Sequence, residues 1–152
     1  MSIFPTKVLL ATDGSEEATL AARTAVDIAE KTGSELHVVH ARQVPLYVDE
    51  SPTERVEATK SIEETLKEAA QRVLDTQVRQ IRDAGGDVLQ TYARLGRPDK
   101  EIISVAEEIG AGLIVMGSRG LGGVRRILMG SVSDSVVQHA HCPVLVVRKE
   151  ER

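Results

Sequence analysis

The sequence predicts an α/β protein of one domain, with an open parallel sheet and helices on both of its faces. Short apolar runs alternate along the whole chain with longer segments of helical periodicity, a pattern typical of βα units that build a parallel sheet. The second, third and fourth apolar runs follow glycine-containing turns, as expected where a helix ends and leads into a strand. The length of 152 residues suits a single core, so we expect residues 1–152 to form one domain.

Five apolar runs are the predicted strands, and their bounds are Lys7–Ala11, Leu36–Ala41, Asp87–Ala93, Gly112–Met116 and Pro143–Val147. Four segments between them are predicted helices. The first carries a stripe of alanines at helical spacing, which allows close packing on a sheet; these are Ala18, Ala22, Ala25 and Ala29. The stretch Arg42–Pro52 is bracketed by prolines near its ends and is expected to be a mobile loop.

The second helix is predicted from about Thr53 to Asp83, with one apolar face formed by Ile62, Leu66, Ala69, Ala70, Val73 and Ile81. Pro98 is predicted to open the third helix, because proline is tolerated in a first turn. The fourth helix is expected from about Ser131 to His139.

Right-handed crossovers leave few ways to arrange five such strands, and the strand order 3-2-1-4-5 of a Rossmann-like sheet satisfies them. In this order the second and third strands lie on one side of the first strand and the fourth and fifth on the other, so the switch point of the strand order lies between the first and fourth strands. Open α/β sheets bind ligands in the crevice at such a point, beyond the carboxyl ends of the strands. The residues that follow Ala11 and Met116 are therefore the first candidates for a site.

Composition excludes several classes of function. Aromatic residues make up 2% of the chain, too few for a stacking platform that binds single-stranded nucleic acid. The net charge of −4 argues against holding a polyanion by bulk charge, so no nucleic-acid partner is expected. The apolar run near the N-terminus is too short for a signal peptide or a membrane span. The single cysteine, Cys142, cannot form an internal disulfide. We expect a cytoplasmic protein that does not contact a membrane.

The stretch that follows the fourth strand is rich in glycine and carries the local positive charge of Arg119, Arg125 and Arg126. A strand, a glycine-rich turn and a helix N-terminus together form an anion site, because unpaired backbone N–H groups and the positive end of the helix converge there. Ser131 and Ser133 offer additional hydroxyl donors. Neither the P-loop pattern nor the dinucleotide fingerprint is present. A purely structural alternative is a capping box formed by residues 131–134.

The spacing is Gly117-x2-Gly120-x9-Gly130-Ser131. With the segments Ala11–Ser15 and Cys142–Val147, it closely resembles the universal stress protein family. The resemblance implies the sheet order given above, a homodimer and an ATP-type ligand. It also implies an adenosine end lined by Ala11, Thr12, Asp13 and Ala41. It implies that the residues along the ribose and phosphates are Met116, Gly117, Arg119, Gly120, Gly130, Ser131, Val132 and Ser133. Ala11 stands where many members carry proline.

Asp13 is expected to accept a hydrogen bond from a ribose hydroxyl or to help hold a divalent cation such as Mg²⁺ on the phosphates. The alternative is a turn aspartate before a helix. His139, His141 and Cys142 do not have the spacing of a metal site, and none is predicted. His37 and His40 are expected to be buried, neutral imidazoles of a central strand.

The sequence leaves two candidate functions for the protein. The first is a stress-response regulator that binds ATP, ADP or AMP and passes its state to protein partners. The second is a slow adenine-nucleotide hydrolase or transferase, with at most weak ATP hydrolysis and no assigned catalytic residue. A flavin carrier is disfavoured by the shortage of aromatic residues. The apolar edge strand Val144–Val147 is the predicted homodimer contact, because an unpaired edge is an aggregation hazard unless a second copy covers it.

Overall fold

The structure, a computed structural model, describes residues 2–44, 52–118 and 130–149. The chain alternates strands and helices as predicted: β1 Lys7–Ala11, α1 Glu16–Thr32, β2 Glu35–Arg42, α2 Pro52–Asp83, β3 Gln90–Leu95, α3 Pro98–Ile109, β4 Leu113–Gly117, α4 Ser131–His139 and β5 Val144–Val147.

The five strands form one parallel sheet in the order β3-β2-β1-β4-β5, which confirms the predicted topology. Strands β2 and β3 therefore lie on one side of β1, and β4 and β5 on the other, which places the switch point of the strand order between β1 and β4. Ala11 and Met116 are register partners at the ends of these two strands. The loops after both strands consequently begin side by side at the carboxyl edge of the sheet.

Helix α1 shows how the sequence fixes the start and end of an element. The hydroxyl oxygen of Ser15 caps its N-terminus by accepting from the Ala18 N–H at 3.1 Å, and Gly33 ends it in the left-handed region with φ 68°. The predicted stripe of alanines is buried. Because these side chains are small, α1 lies close against the sheet.

Strand residues alternate between two apolar cores, one on each face of the sheet. Leu10 and Val38 pack with Leu74 of α2 on the first face. Leu9 and Val39 pack with Ile102 of α3 on the second. The central strands are apolar at successive positions because both of their faces are covered. Burying one such side chain completely contributes about 1.5–3 kcal/mol.

The third strand was predicted over Asp87–Ala93 but runs over Gln90–Leu95. Val88 packs in the core before the strand begins, and Leu89 is 61% exposed while its N–H donates to Leu36 O at 2.8 Å. Register pairing starts only at Gln90, opposite His37. Apolar character therefore marks the segment that leads into this edge strand rather than the strand itself. The other strand bounds agree with the prediction to within one residue.

The predicted irregular stretch Arg42–Pro52 is shorter than expected, because Arg42 belongs to β2 and Pro52 to α2. Residues 45–51, on which the prediction of a mobile loop also falls, lie outside the described residues. Within the described ranges, no helix is long and apolar enough to cross a membrane.

Candidate functional site

A cavity of about 440 Å³ opens at the carboxyl edge of the sheet, at the switch point of the strand order between β1 and β4. This volume lies within the range usual for small-molecule sites. Its walls come from the ends of β1, β2 and β4 and from the first turns of α1, α3 and α4. Every predicted site residue that the structure describes lines it, namely Ala11, Thr12, Asp13, Ala41, Met116, Gly117, Gly130, Ser131, Val132 and Ser133. Arg119 and Gly120 lie outside the described residues.

The cavity also has walls that the sequence reasoning did not assign: Ser15, Ala18, Val39, His40, Arg42, Pro98 and Ile102. Val39 lies two residues before Ala41, so the alternation of side chains along β2 is a signal that was available for it. Pro98 opens α3 at the same edge of the sheet, and Ile102 is one turn further along. No local sequence pattern places Pro98 and Ile102 in the wall. Their position follows from the strand order, which brings the start of α3 to the cavity.

Part of the cavity wall is apolar. Ala11, Val39, Met116 and Ile102 belong to a single core cluster, the one on the face covered by α3 and α4. Ala41 lies two residues after Val39 in β2 and also lines the cavity. These side chains bring no hydrogen-bonding group except the weakly accepting Met116 sulfur. This part of the wall suits a flat, largely apolar group such as a nucleobase.

The N-terminus of α4 forms another part of the wall. Gly130 is its N-cap and makes no side-chain capping bond, and the Asp134 N–H makes the first intrahelical bond, to Gly130 O at 3.0 Å. The backbone N–H groups of residues 131–133 have no acceptor within the helix, because an α-helix leaves its first donors unpaired. The positive end of the helix dipole lies at the same place. The alternative capping box does not form, since Ser131 lies inside the helix rather than at its cap.

The two serines of this turn differ in environment. Ser131 is exposed at the cavity, whereas Ser133 is 3% exposed. The Ser133 hydroxyl donates to Ser118 O at 2.6 Å. A hydroxyl has one proton to donate, so that of Ser133 is already engaged.

Asp13 begins the turn between β1 and α1. One of its carboxylate oxygens accepts the Ser15 N–H at 2.9 Å, and Gly14 takes a φ of 81°. The turn function that the sequence offered as an alternative is therefore present. It holds the Asp13 carboxylate at the cavity wall, so it is compatible with a second contact to a ligand.

Thr12 faces α2 instead. Its hydroxyl donates to Gln77 Oε1 at 2.7 Å, and its oxygen accepts the Gly14 N–H at 3.3 Å. Thr12 is 5% exposed. The Thr12 side chain thus connects the turn after β1 to α2. Because Thr12 directly precedes Asp13, these bonds also fix the position of Asp13 at the cavity wall.

His40 is buried beneath the same turn. Its Nδ1 lies 2.6 Å from Thr12 O, and a carbonyl oxygen can only accept, so Nδ1 carries the proton. Burial lowers the pKa of His40 below its ordinary value, which keeps the imidazole neutral at pH 7. Nε2 is buried and has no hydrogen-bond partner among the described residues. His40 is therefore a structural support for the turn that carries Asp13.

The histidines near the C-terminus have separate contacts. His139 Nδ1 lies 2.9 Å from Ser135 O within its own helix, and His141 Nε2 lies 3.0 Å from the Glu107 carboxylate. In the described part of the chain, no three acidic, histidine or cysteine side chains come together in a way that could hold a metal ion.

The model of the universal stress protein family matches residues 5–148. The universal stress protein MJ0531 of Methanocaldococcus jannaschii is 38% identical over 149 residues, which cover 96% of this chain and 84% of the relative. Among solved structures, the hypothetical protein MJ0577 superposes with a TM-score of 0.81 at 26% identity, covering 99% of this chain and all of that one. A universal stress protein from Archaeoglobus fulgidus, solved in complex with dAMP, has a TM-score of 0.62 at 26% identity, with 96% of this chain and 99% of that one covered.

Proposed function

The chain belongs to the universal stress protein family, and on this premise we propose that it binds an adenine nucleotide, ATP or its products ADP and AMP, in the cavity at the carboxyl edge of the sheet. The observation that carries the proposal is that the N-terminus of α4, which no side chain of the described residues caps, lines a cavity whose wall also has an apolar part. The dAMP complex of the Archaeoglobus fulgidus relative supports the ligand class.

In the proposed complex the phosphate oxygens accept hydrogen bonds from the backbone N–H groups of Ser131, Val132 and Ser133. Such an arrangement needs no lysine, because the unpaired donors and the helix dipole together favour an anion. Ala11 and Ala41 contact the adenosine end, and Asp13 meets the ribose. Met116 and Gly117, at the end of β4, lie along the ribose and phosphates. Arg119 and Gly120 belong to the same glycine motif and complete the proposed contacts.

The charges at the cavity are compatible with a nucleotide. Among the described wall residues, the ionisable side chains are those of Asp13, His40 and Arg42. Because the protein carries a net charge of −4, an anion depends on local donors. An Mg²⁺ ion on the phosphates is expected to use phosphate oxygens and water, with Asp13 as its protein contact, because Mg²⁺ retains several waters and takes few carboxylates.

We further propose that the protein is a stress-response regulator, which passes its nucleotide state to protein partners. Fast phosphoryl transfer needs a positioned nucleophile, cations and a stabilising charge that act together. Of the described ionisable groups in the wall, Asp13 serves a turn and His40 donates to Thr12 O. Because both groups already serve these hydrogen bonds, we favour a protein that retains its nucleotide. The alternative is a hydrolase or transferase with slow turnover.

The experiment that tests the ligand class compares ATP with adenosine by equilibrium dialysis. We expect ATP to bind more tightly, because only ATP brings phosphate oxygens to the N-terminus of α4. Equal affinity for the two ligands would contradict the proposed phosphate contacts. Failure of both to bind at millimolar concentration would contradict the proposed function.

Replacing Asp13 with alanine is expected to weaken ATP binding by about tenfold to more than a hundredfold, because the ribose loses a charge-assisted hydrogen bond of about 1.5–3 kcal/mol. Calorimetric titration measures the change. Asp13→Asn is the matched control, since its amide oxygen still accepts the Ser15 N–H and preserves the turn. We expect Asp13→Asn to unfold at the wild-type temperature while its affinity for ATP still falls. If both variants bind ATP as the wild type does, Asp13 is a turn residue only.

The outer edge of β5 is the proposed contact between two copies of the chain. Pro143 O accepts from the Ile114 N–H at 3.0 Å, and Val147 O accepts from the Ser118 N–H at 2.9 Å. In a parallel ladder alternate residues face the same neighbour, so Val144 and Val146 direct their N–H and C=O groups away from β4. Leu145 is 37% exposed. A second β5 strand, antiparallel about a two-fold axis, would satisfy these groups.

Replacing Val146 with proline is expected to shift the protein from dimer to monomer in sedimentation velocity, because the outward N–H is removed while the bonds to β4 remain. Val146→Thr is the matched control, since threonine keeps the N–H and a β-branched shape. We expect it to remain dimeric. A wild type that sediments as a monomer, or a Val146→Pro variant that stays dimeric, would contradict the proposed interface.

A further inference from the structure

A buried polar cluster lies behind the cavity and has Ser118 at its centre. Ser118 directly follows β4 and is 2% exposed. Its hydroxyl donates to a carboxylate oxygen of Glu17 at 2.7 Å. Its carbonyl oxygen accepts two bonds of 2.6 Å, from the Gly130 N–H and from the Ser133 hydroxyl. We call Glu17, Ser118, Gly130 and Ser133 the Ser118 clamp.

The clamp joins elements that are distant in the sequence. Glu17 lies in the first turn of α1, while Gly130 and Ser133 belong to the first turn of α4. The Ser118 N–H also donates to Val147 O of β5 at 2.9 Å. One residue thus connects the end of β4 to α1, α4 and β5, and fixes the N-terminus of α4 relative to the sheet.

The glycine at position 117 is required by this arrangement. A Cβ at Gly117 would lie 3.0 Å from the Glu17 Cβ and 3.1 Å from the Glu17 backbone carbonyl carbon. Because that backbone cannot move aside cheaply, only glycine lets α1 approach β4 this closely. The first glycine of the motif therefore allows Glu17 to reach the Ser118 hydroxyl.

Two donors near the cavity are engaged by the clamp. The Gly130 N–H and the Ser133 hydroxyl both point to Ser118 O, and neither group has a second proton to offer. Ser131 lines the cavity and is exposed. The two serines therefore differ in the atoms that their hydroxyl groups can reach.

We propose that the Ser118 clamp positions the N-terminus of α4 for phosphate, and that the Ser133 hydroxyl acts through Ser118 as a positioning group and does not contact the ligand itself. This inference rests on the proposed nucleotide function and goes beyond it, because it separates the two serines of the motif. It also gives the buried carboxylate of Glu17 a function: its bond to Ser118 holds the carbonyl that receives the other two donors.

The first test uses ligand-free protein. Amide hydrogen exchange at Gly130, followed by NMR, reports directly on its bond to Ser118 O. We expect Ser133→Ala to accelerate this exchange by about tenfold or more, because the carbonyl loses one of its two donors and the helix start loosens. Ser133→Thr keeps a hydroxyl and should restore the slow exchange. Ser131→Ala, the matched control on the same turn, should leave it unchanged. Wild-type exchange in Ser133→Ala would overturn the clamp.

The second test compares ATP with adenosine for the same variants by equilibrium dialysis. Ser133→Ala is expected to weaken ATP binding by about tenfold, with adenosine affinity retained and ATP affinity recovered in Ser133→Thr. Equal losses for both ligands would indicate a general structural role and overturn the positioning. The exchange measurement needs no ligand, so it decides the clamp even if wild-type protein binds no ATP, which would contradict the proposed function alone.

Discussion

Replacing Gly130 with aspartate is expected to abolish ATP binding without unfolding the protein. Gly130 is the N-cap of α4, and its φ of −65° and ψ of 162° are values that any residue adopts. Aspartate is among the preferred N-cap residues, so its carboxylate would accept the N–H groups of the first turn. The proposed phosphates would lose those donors and meet a negative charge. An affinity loss of at least about a hundredfold follows if two charge-assisted bonds are lost.

Fluorescence-based competition for ATP and thermal unfolding measure the two halves of this prediction. The unfolding temperature of Gly130→Asp should equal or exceed that of the wild type, because the helix gains a cap. Gly130→Ala adds a Cβ without charge or capping oxygen and should bind ATP nearly as the wild type does. If Gly130→Asp binds ATP within threefold of the wild-type affinity, the phosphates do not lie at the N-terminus of α4.

Replacing Ala41 with phenylalanine is expected to prevent binding of both ATP and adenosine. Ala41 is half-buried near the end of β2 and lines the cavity close to the apolar part of its wall. A phenyl ring there occupies the space that the base needs, and a packed wall does not yield readily to added volume. We expect an affinity loss of at least about a hundredfold for either ligand.

Adenosine separates this prediction from the previous one. Gly130→Asp should affect ATP far more than adenosine, whereas Ala41→Phe should affect both ligands alike. Ala41→Val adds only two methyl groups and serves as the matched control, with a smaller loss for both. Tight adenosine binding by Ala41→Phe, measured by equilibrium dialysis, would place the base elsewhere.

The sequence was sufficient for the strand order, because apolar runs separated by helical segments and right-handed crossovers leave few arrangements. It was also sufficient to bring the ends of β1 and β4 together at one cavity. It misplaced β3, since this edge strand is polar at Gln90, Thr91 and Arg94, and the apolar residues Val88 and Leu89 precede it. Periodicity shows burial, and an edge strand is only partly buried.

The site was predicted in outline, but not the division of work among its residues. The sequence does not show whether the hydroxyl of a serine near a glycine motif faces a cavity or a carbonyl oxygen. Ser131 and Ser133 therefore could not be distinguished. The Glu17–Ser118 bond joins residues that are 101 positions apart, and no local pattern indicates it. His40 was expected to be buried and neutral, but its support of the Asp13 turn through Thr12 O depends on β1 and β2 being neighbours.

Native mass spectrometry of the purified protein, titrated with ATP, tests the central claim most directly. We expect a species whose mass equals the protein plus one adenine nucleotide per chain, either as purified or after ATP is added, and we expect it to disappear in Gly130→Asp. A wild-type protein that keeps its ligand-free mass up to millimolar ATP would contradict the claim that this cavity binds an adenine nucleotide.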